Sequence, residues 1–91
     1  MSIKKSFQVA IKALVALKMD YTSEEFDPDV ANDADEAMQF LIETTRHAVS
    51  CQAANLIEAA SHIAAAALDE DGTPEMANIA ALCLAEAQKL I

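Results

Sequence analysis

Glycine, proline and tryptophan are almost missing from this chain. Its 91 residues include one Gly, two Pro and no Trp. A single glycine cannot build a phosphate-cradling loop, which needs several backbone positions free of a Cβ. No alternating strand pattern is present either. The aromatics are only Phe7, Tyr21, Phe26 and Phe40. Basic residues are scarce: six Lys and Arg stand against fifteen acids, a net charge of −9. Phosphates repel such a surface, which argues against direct nucleic-acid binding and against an anionic membrane surface. No apolar run approaches the roughly 18 residues of a membrane span. The apolar stretch after Lys4 and Lys5 is interrupted by Gln8, Lys12 and Lys18 and leads to no small-residue cleavage site, so it does not read as a secretory signal. The two cysteines, Cys51 and Cys83, form no CxxC and sit in helical patterns. They fit buried thiols in a reducing, cytoplasmic compartment.

What is abundant is alanine, with twenty residues in a chain that is 54% hydrophobic. Ala is the best helix former, but each one buries little area. A chain of this length makes one domain, residues 1–91, and buries only about 60–65% of its unfolded surface. The expectation is an all-α bundle completed by homodimerisation.

The few breakers divide the chain. Ile3, Phe7, Ala10, Leu14, Leu17 and Tyr21 recur at steps of four and three, predicting a first amphipathic helix over about 2–19. Asp27-Pro28 is a helix start, with Asp as N-cap and Pro at the first helical position. From there to Leu68 no Gly or Pro intervenes, and one long helix over about 28–68 is expected. Its apolar stripe shifts at Val49, where two successive steps of four make a stutter; a break near Ser50 is the alternative. Gly72 is expected to cap that helix in the left-handed region, and Thr73-Pro74 to open a last helix over about 74–91. The prediction is three helices, short, long and short.

Charge is split along the chain. Residues 1–18 carry Lys4, Lys5, Lys12 and Lys18 and no acid, while the rest carries all fifteen acids with only Arg46 and Lys89, +4 against −13. Folding the basic helix onto the acidic chain, its own or a twin's, is the simplest use of those lysines. The face left unneutralised is an acidic edge. Its candidate partner-binding residues are Glu24, Glu25, Phe26, Asp27, Asp29, Asp33, Asp35 and Glu36, with Phe26 and Tyr21 as apolar anchors for a basic patch on another protein. The competing account is a solubilising loop followed by acids that favour a helix N-terminus.

Leu41-Ile42-Glu43-Thr44-Thr45-Arg46-His47 is echoed by Leu56-Ile57-Glu58-Ala59-Ala60-Ser61-His62. On one long helix, an antiparallel two-fold pairing would set Glu43 against the second copy's His62 and His47 against its Glu58. These four are the candidate dimer interface, one that responds to pH as histidine titrates. Glu, His and Cys51 on one stripe also suggest metal ligation. The two histidines, however, are about 22 Å apart along a helix, and the Glu–His spacing is four rather than the Glu-x-x-His of di-iron bundles. No metal ligand set and no cofactor is predicted. Asp69-Glu70-Asp71-Gly72 lacks the acids that a calcium loop places before and after its Gly. Nothing activates Cys51 or builds a catalytic triad, so the chain does not read as an enzyme.

The stretch Phe40–Leu68, Asp69–Pro74 and Glu75–Ile91 resembles small Ala-rich helical-hairpin proteins of bacteria and prophages. The likeness is one of composition and covers a little over half the chain. In size and acidity the chain is similar to phage anti-CRISPR-type inhibitors, a class with no shared motif. That resemblance implies a non-enzymatic inhibitor or regulator that binds a basic, nucleic-acid-binding protein. Two alternatives stand beside it: an assembly scaffold contacting its partner through the first helix, and a metal-dependent bundle enzyme.

Overall fold

The computed structural model describes residues 2–23, 27–47, 49–69 and 71–91. It is all-helical, with four helices rather than three: α1 (Ile3–Tyr21), α2 (Pro28–Thr45), α3 (Cys51–Ala67) and α4 (Pro74–Lys89). The expected long helix is two. The chain leaves helix after Thr45, and Ser50, with extended backbone at φ −65° and ψ 162°, starts a new one by accepting from the Ala53 N–H. The break falls at the Val49 stutter. No Gly or Pro marks it, because a serine N-cap needs neither. Thr44 and Thr45 turn their hydroxyls back onto the Phe40 and Leu41 carbonyls, 2.8 Å each, in the last turn of α2. Such back-bonding bends a helix rather than extending it.

The other starts match their sequence signals. Ser2 accepts from the Lys5 N–H at 3.2 Å, Asp27 from the Asp29 N–H at 3.0 Å, and Thr73 from the Met76 N–H at 3.3 Å. Pro28 and Pro74 each occupy the first helical turn, where the missing N–H costs nothing.

α1 packs between α2 and α4, α3 packs on α4, and α2 and α3 meet only sparsely. Lys18 Nζ donates to Asn78 Oδ1 at 3.3 Å, and the Tyr21 hydroxyl donates to the Ala67 carbonyl. These bonds bring the ends of α1 and α3 to the start of α4, so α1 runs parallel to α3 and antiparallel to α4. Large side chains meet small ones in the core. Phe7, Leu14 and Leu17 of α1 and Leu41 of α2 are fully buried, facing α3 and α4 stripes made mainly of Ala53, Ala60, Ala64, Ala67, Ala77, Ala80 and Ala87. Alanine faces let α3 and α4 approach closely, and theirs is the densest helix pair. α1 is therefore a wall of the bundle rather than a detachable arm.

Gly72 has a different role from the one expected. Neither it nor any other described residue has a positive φ. Instead its Cα passes so close to the end of α3 that a Cβ would overlap the Ala67 carbonyl, 2.7 Å from its carbon.

Candidate protein-binding groove

The outer seam between α1 and α2 opens into a groove of about 670 Å³. Val9, Ala13 and Ala16 of α1 and Val30, Ala37 and Phe40 of α2 supply its apolar wall, and Lys12, Asp33 and Glu36 its charge. The steps along α2 account for this. Asp29, Asp33, Glu36, Phe40 and Glu43 follow one another at four and three residues, so they form a line along the helix. That line lies on the far side of the helix from the buried stripe of Ala34, Met38, Leu41 and Thr45, and half-buried Val30 and Ala37 lie between the two. Phe40 is 43% exposed and Val9 is 41% exposed, large apolar side chains left open at a surface. Small residues, Ala13, Ala16 and Ala37, keep the seam shallow between them.

The predicted acidic edge divides in the structure. Asp29, Asp33, Asp35 and Glu36 are all exposed. Asp33 and Glu36 edge the groove and Asp29 continues their line, whereas Asp35 points to another side of α2 and accepts from Gln39 Nε2 at 3.0 Å. Asp27 is a helix cap whose own N–H donates to both carboxylate oxygens of Asp20 at 3.2 Å. Glu24, Glu25 and Phe26 lie outside the described residues. Tyr21 serves the fold, through its bond to Ala67, rather than acting as a surface anchor. Burial, helped by the neighbouring Asp20 charge, pushes its phenol above the ordinary 10.0. The exposed aromatic side chain of the groove that sequence reasoning overlooked is Phe40. Its signal was its place in the acidic four-three series.

No lysine of α1 forms an ion pair with these acids among the described residues, although Lys12 shares the groove with Asp33 and Glu36. Among the described residues the ion pairs are Glu58–His62 at 3.8 Å and Glu86–Lys89 at 3.0 Å, each within one exposed helix face. Lys4, Lys5, Lys12 and Lys18 are all exposed, and Lys18 bonds to the neutral Asn78. α1 does fold onto the acidic chain, and within one chain it is apolar burial rather than ion pairing among the described residues that holds it there.

The Glu–His echo is also divided. Glu43 lies on α2, exposed His47 in the turn after it, and the paired Glu58 and His62 on α3. The straight rod that the antiparallel pairing of these four required is not there. Among the described residues no group of three His, Cys, Asp or Glu is placed to hold a metal. Cys51, the first residue of α3, is exposed, and Cys83 is half-buried; both are free thiols. A smaller cleft of about 230 Å³, between α2 and α3, is lined by Ile42, Thr45, Arg46, Ile57, Glu58 and Ser61 among others. It brings one cation and one anion to an apolar floor.

The fold and groove define a four-helix all-α bundle with an acid-edged surface seam. The chain matches no protein-family model, no curated protein and no solved structure. No helix among the described residues is long and apolar enough to cross a membrane.

Proposed function

We propose that this chain is a non-enzymatic protein-binding module that works as a homodimer. Its α1–α2 groove takes a basic amphipathic segment of another protein, and in doing so it inhibits or regulates that protein in the manner of phage anti-CRISPR-type inhibitors. The observation that carries the reading is the join of exposed Phe40 and Val9 to the acids Asp33 and Glu36, neither of which is in an ion pair among the described residues. A helix laid in such a groove would bury an apolar anchor against Phe40 and Val9 and set Lys or Arg beside the carboxylates. The net charge of −9 would speed the encounter with a basic partner and repel nucleic acid itself. A protein whose basic surface binds nucleic acid is thus a natural target. Two free thiols fit a reducing cytoplasm.

The rival reading is an assembly scaffold that contacts its partner through α1, a helix that also carries much of the core. The test is binding of a labelled Lys/Arg-rich amphipathic helical peptide, compared with a sequence of equal charge whose apolar positions are scrambled. Preference for the amphipathic peptide, lost in Phe40→Ala, supports the groove. Equal binding of both peptides, or binding untouched by Phe40→Ala, sinks it.

A further inference from the structure

The groove between α1 and α2 differs from one end to the other. α1 ends at Tyr21 and α2 starts at Pro28, so the two helices run antiparallel, and the Asp27 N–H bonded to the Asp20 carboxylate sets their level at the loop end. Counting back from there, Asp20 comes level with Asp29, Ala16 with Asp33, Lys12 with Glu36, Val9 with Phe40 and Lys5 with Glu43. The three middle pairs all line the groove. Its apolar end is therefore the one far from the loop, where Val9 is 41% and Phe40 43% exposed. From Phe40 toward the loop stand Glu36, Asp33, Asp29 and Asp20, with Lys12 as the one cation among them, since Lys18 turns to Asn78 on α4. Beyond Phe40 the exposed Glu43 and Lys5 offset each other, and Arg46 lines the other cleft. The potential along the groove thus has a direction, negative toward the loop and near neutral past Phe40.

We infer that the groove takes its segment in one setting. The occupant is a helix whose apolar anchor sits between Val9 and Phe40 and whose Lys or Arg residues all lie on one side of that anchor, toward the loop. This rests on reading the groove as the site for a basic amphipathic segment, and adds which basic segments fit. The spacing follows from helix rise. Glu36, Asp33 and Asp29 lie about 6, 10 and 16 Å from Phe40 along α2, which places the matching cations four, seven and eleven residues from the anchor of a helix laid alongside. Those positions share one stripe with the anchor, so a single face of the segment presents all of them. A cation on the other side of the anchor meets Lys5 as well as Glu43 and gains nothing. Lys12 repels a cation placed beside α1, so the basic flank faces α2. Chain direction then follows from the segment itself. Cations after the anchor lay it antiparallel to α2, and cations before the anchor lay it parallel.

Fluorescence anisotropy of two labelled, Ala-based helical peptides against the full chain tests this. The first carries a Leu anchor with Lys four and seven residues after it. The second has the same composition, with one Lys four residues after the anchor and the other seven before it. In either chain direction the second can place only one Lys on the acidic side. The one-sided peptide should bind about three- to fivefold more tightly at low salt, the scale of one exposed charge pair. Asp33→Lys should erase that advantage, and replacing the Lys seven residues from the anchor by Glu should recover it against that variant. Asp33 is exposed, so circular dichroism should show helix content unchanged. Equal affinity of the two peptides, with both lost in Phe40→Ala, overturns the one-sided setting and leaves the groove in place. So does an Asp33→Lys chain that weakens both peptides by the same factor. Failure of both peptides to bind the parent chain overturns the groove reading and this inference together.

Discussion

Tyr21, the last residue of α1, donates its hydroxyl to the carbonyl of Ala67, the last residue of α3. One phenol thus ties together two helices that are not sequence neighbours, and it does so at the point where Gly72 passes the same carbonyl. Tyr21→Phe should cost about 1 kcal/mol, the usual net value of one such bond. The pH dependence has a definite sign. The folded-state phenol sits above 10.0, so folding favours the neutral form. The contribution is complete below pH 10 and is lost as pH rises through the folded value. Alkaline denaturation should therefore be shifted upward in pH in Tyr21→Phe relative to its own neutral stability. This is the only Tyr in a chain without Trp, so phenolate absorbance reports it alone. An unchanged alkaline limb in the variant would remove the bond from the account.

Gly72→Ala should destabilise by about 1–3 kcal/mol, the range for forcing volume into a packed place. The reason is contact and not dihedral preference, because Gly72 is not in the left-handed region. The two causes separate experimentally. Gly72→Asn would be tolerated if a left-handed turn were the requirement, whereas overlap with the Ala67 backbone predicts that Asn does no better than Ala in thermal unfolding.

Ser50 starts α3 with no Gly or Pro to announce it. Ser50→Ala removes the acceptor for the Ala53 N–H, 3.2 Å away, and should cost about 0.5–2 kcal/mol in chemical denaturation. Ser50→Asp keeps an acceptor and should hold close to the parent. Equal stability of all three would mean the α2–α3 corner is set by packing alone.

How much of this could be read in advance follows from what each feature depends on. The stripes of α1 and α4, and the Asp27-Pro28 and Thr73-Pro74 starts, are local patterns, and local patterns are visible in a sequence. The corner at Ser50 was visible only as a stutter, because both halves of 28–68 favour helix and their separation is a property of the packed bundle. The role of Gly72 depends on a through-space approach to Ala67, and the groove depends on which side of α2 meets α1. The acids Asp29, Asp33 and Glu36 were found from charge; Phe40, three helical steps along the same line, was not, because one aromatic in a helix reads as core until its neighbours are known.

The groove makes the last prediction, and it separates charge from apolar contact. Asp33→Lys with Glu36→Lys reverses the two acids that edge the groove. Phe40→Ala leaves them and removes the anchor. Asp33 and Glu36 are exposed, so the double reversal should change thermal stability by no more than about 0.5 kcal/mol, the scale of surface substitutions away from special sites. Phe40→Ala, at a side chain only 43% exposed, also loses the burial of its covered part. Against a basic amphipathic peptide the double reversal should weaken affinity most at low salt and lose much of its effect near 1 M salt, where the screening length falls to about 3 Å. Phe40→Ala should weaken binding by a similar factor at low and high salt, since apolar burial is not screened. Isothermal titration at the two salt concentrations distinguishes them. If both variants showed the same salt dependence, the acids and Phe40 would not be acting on one bound segment in these two separate ways.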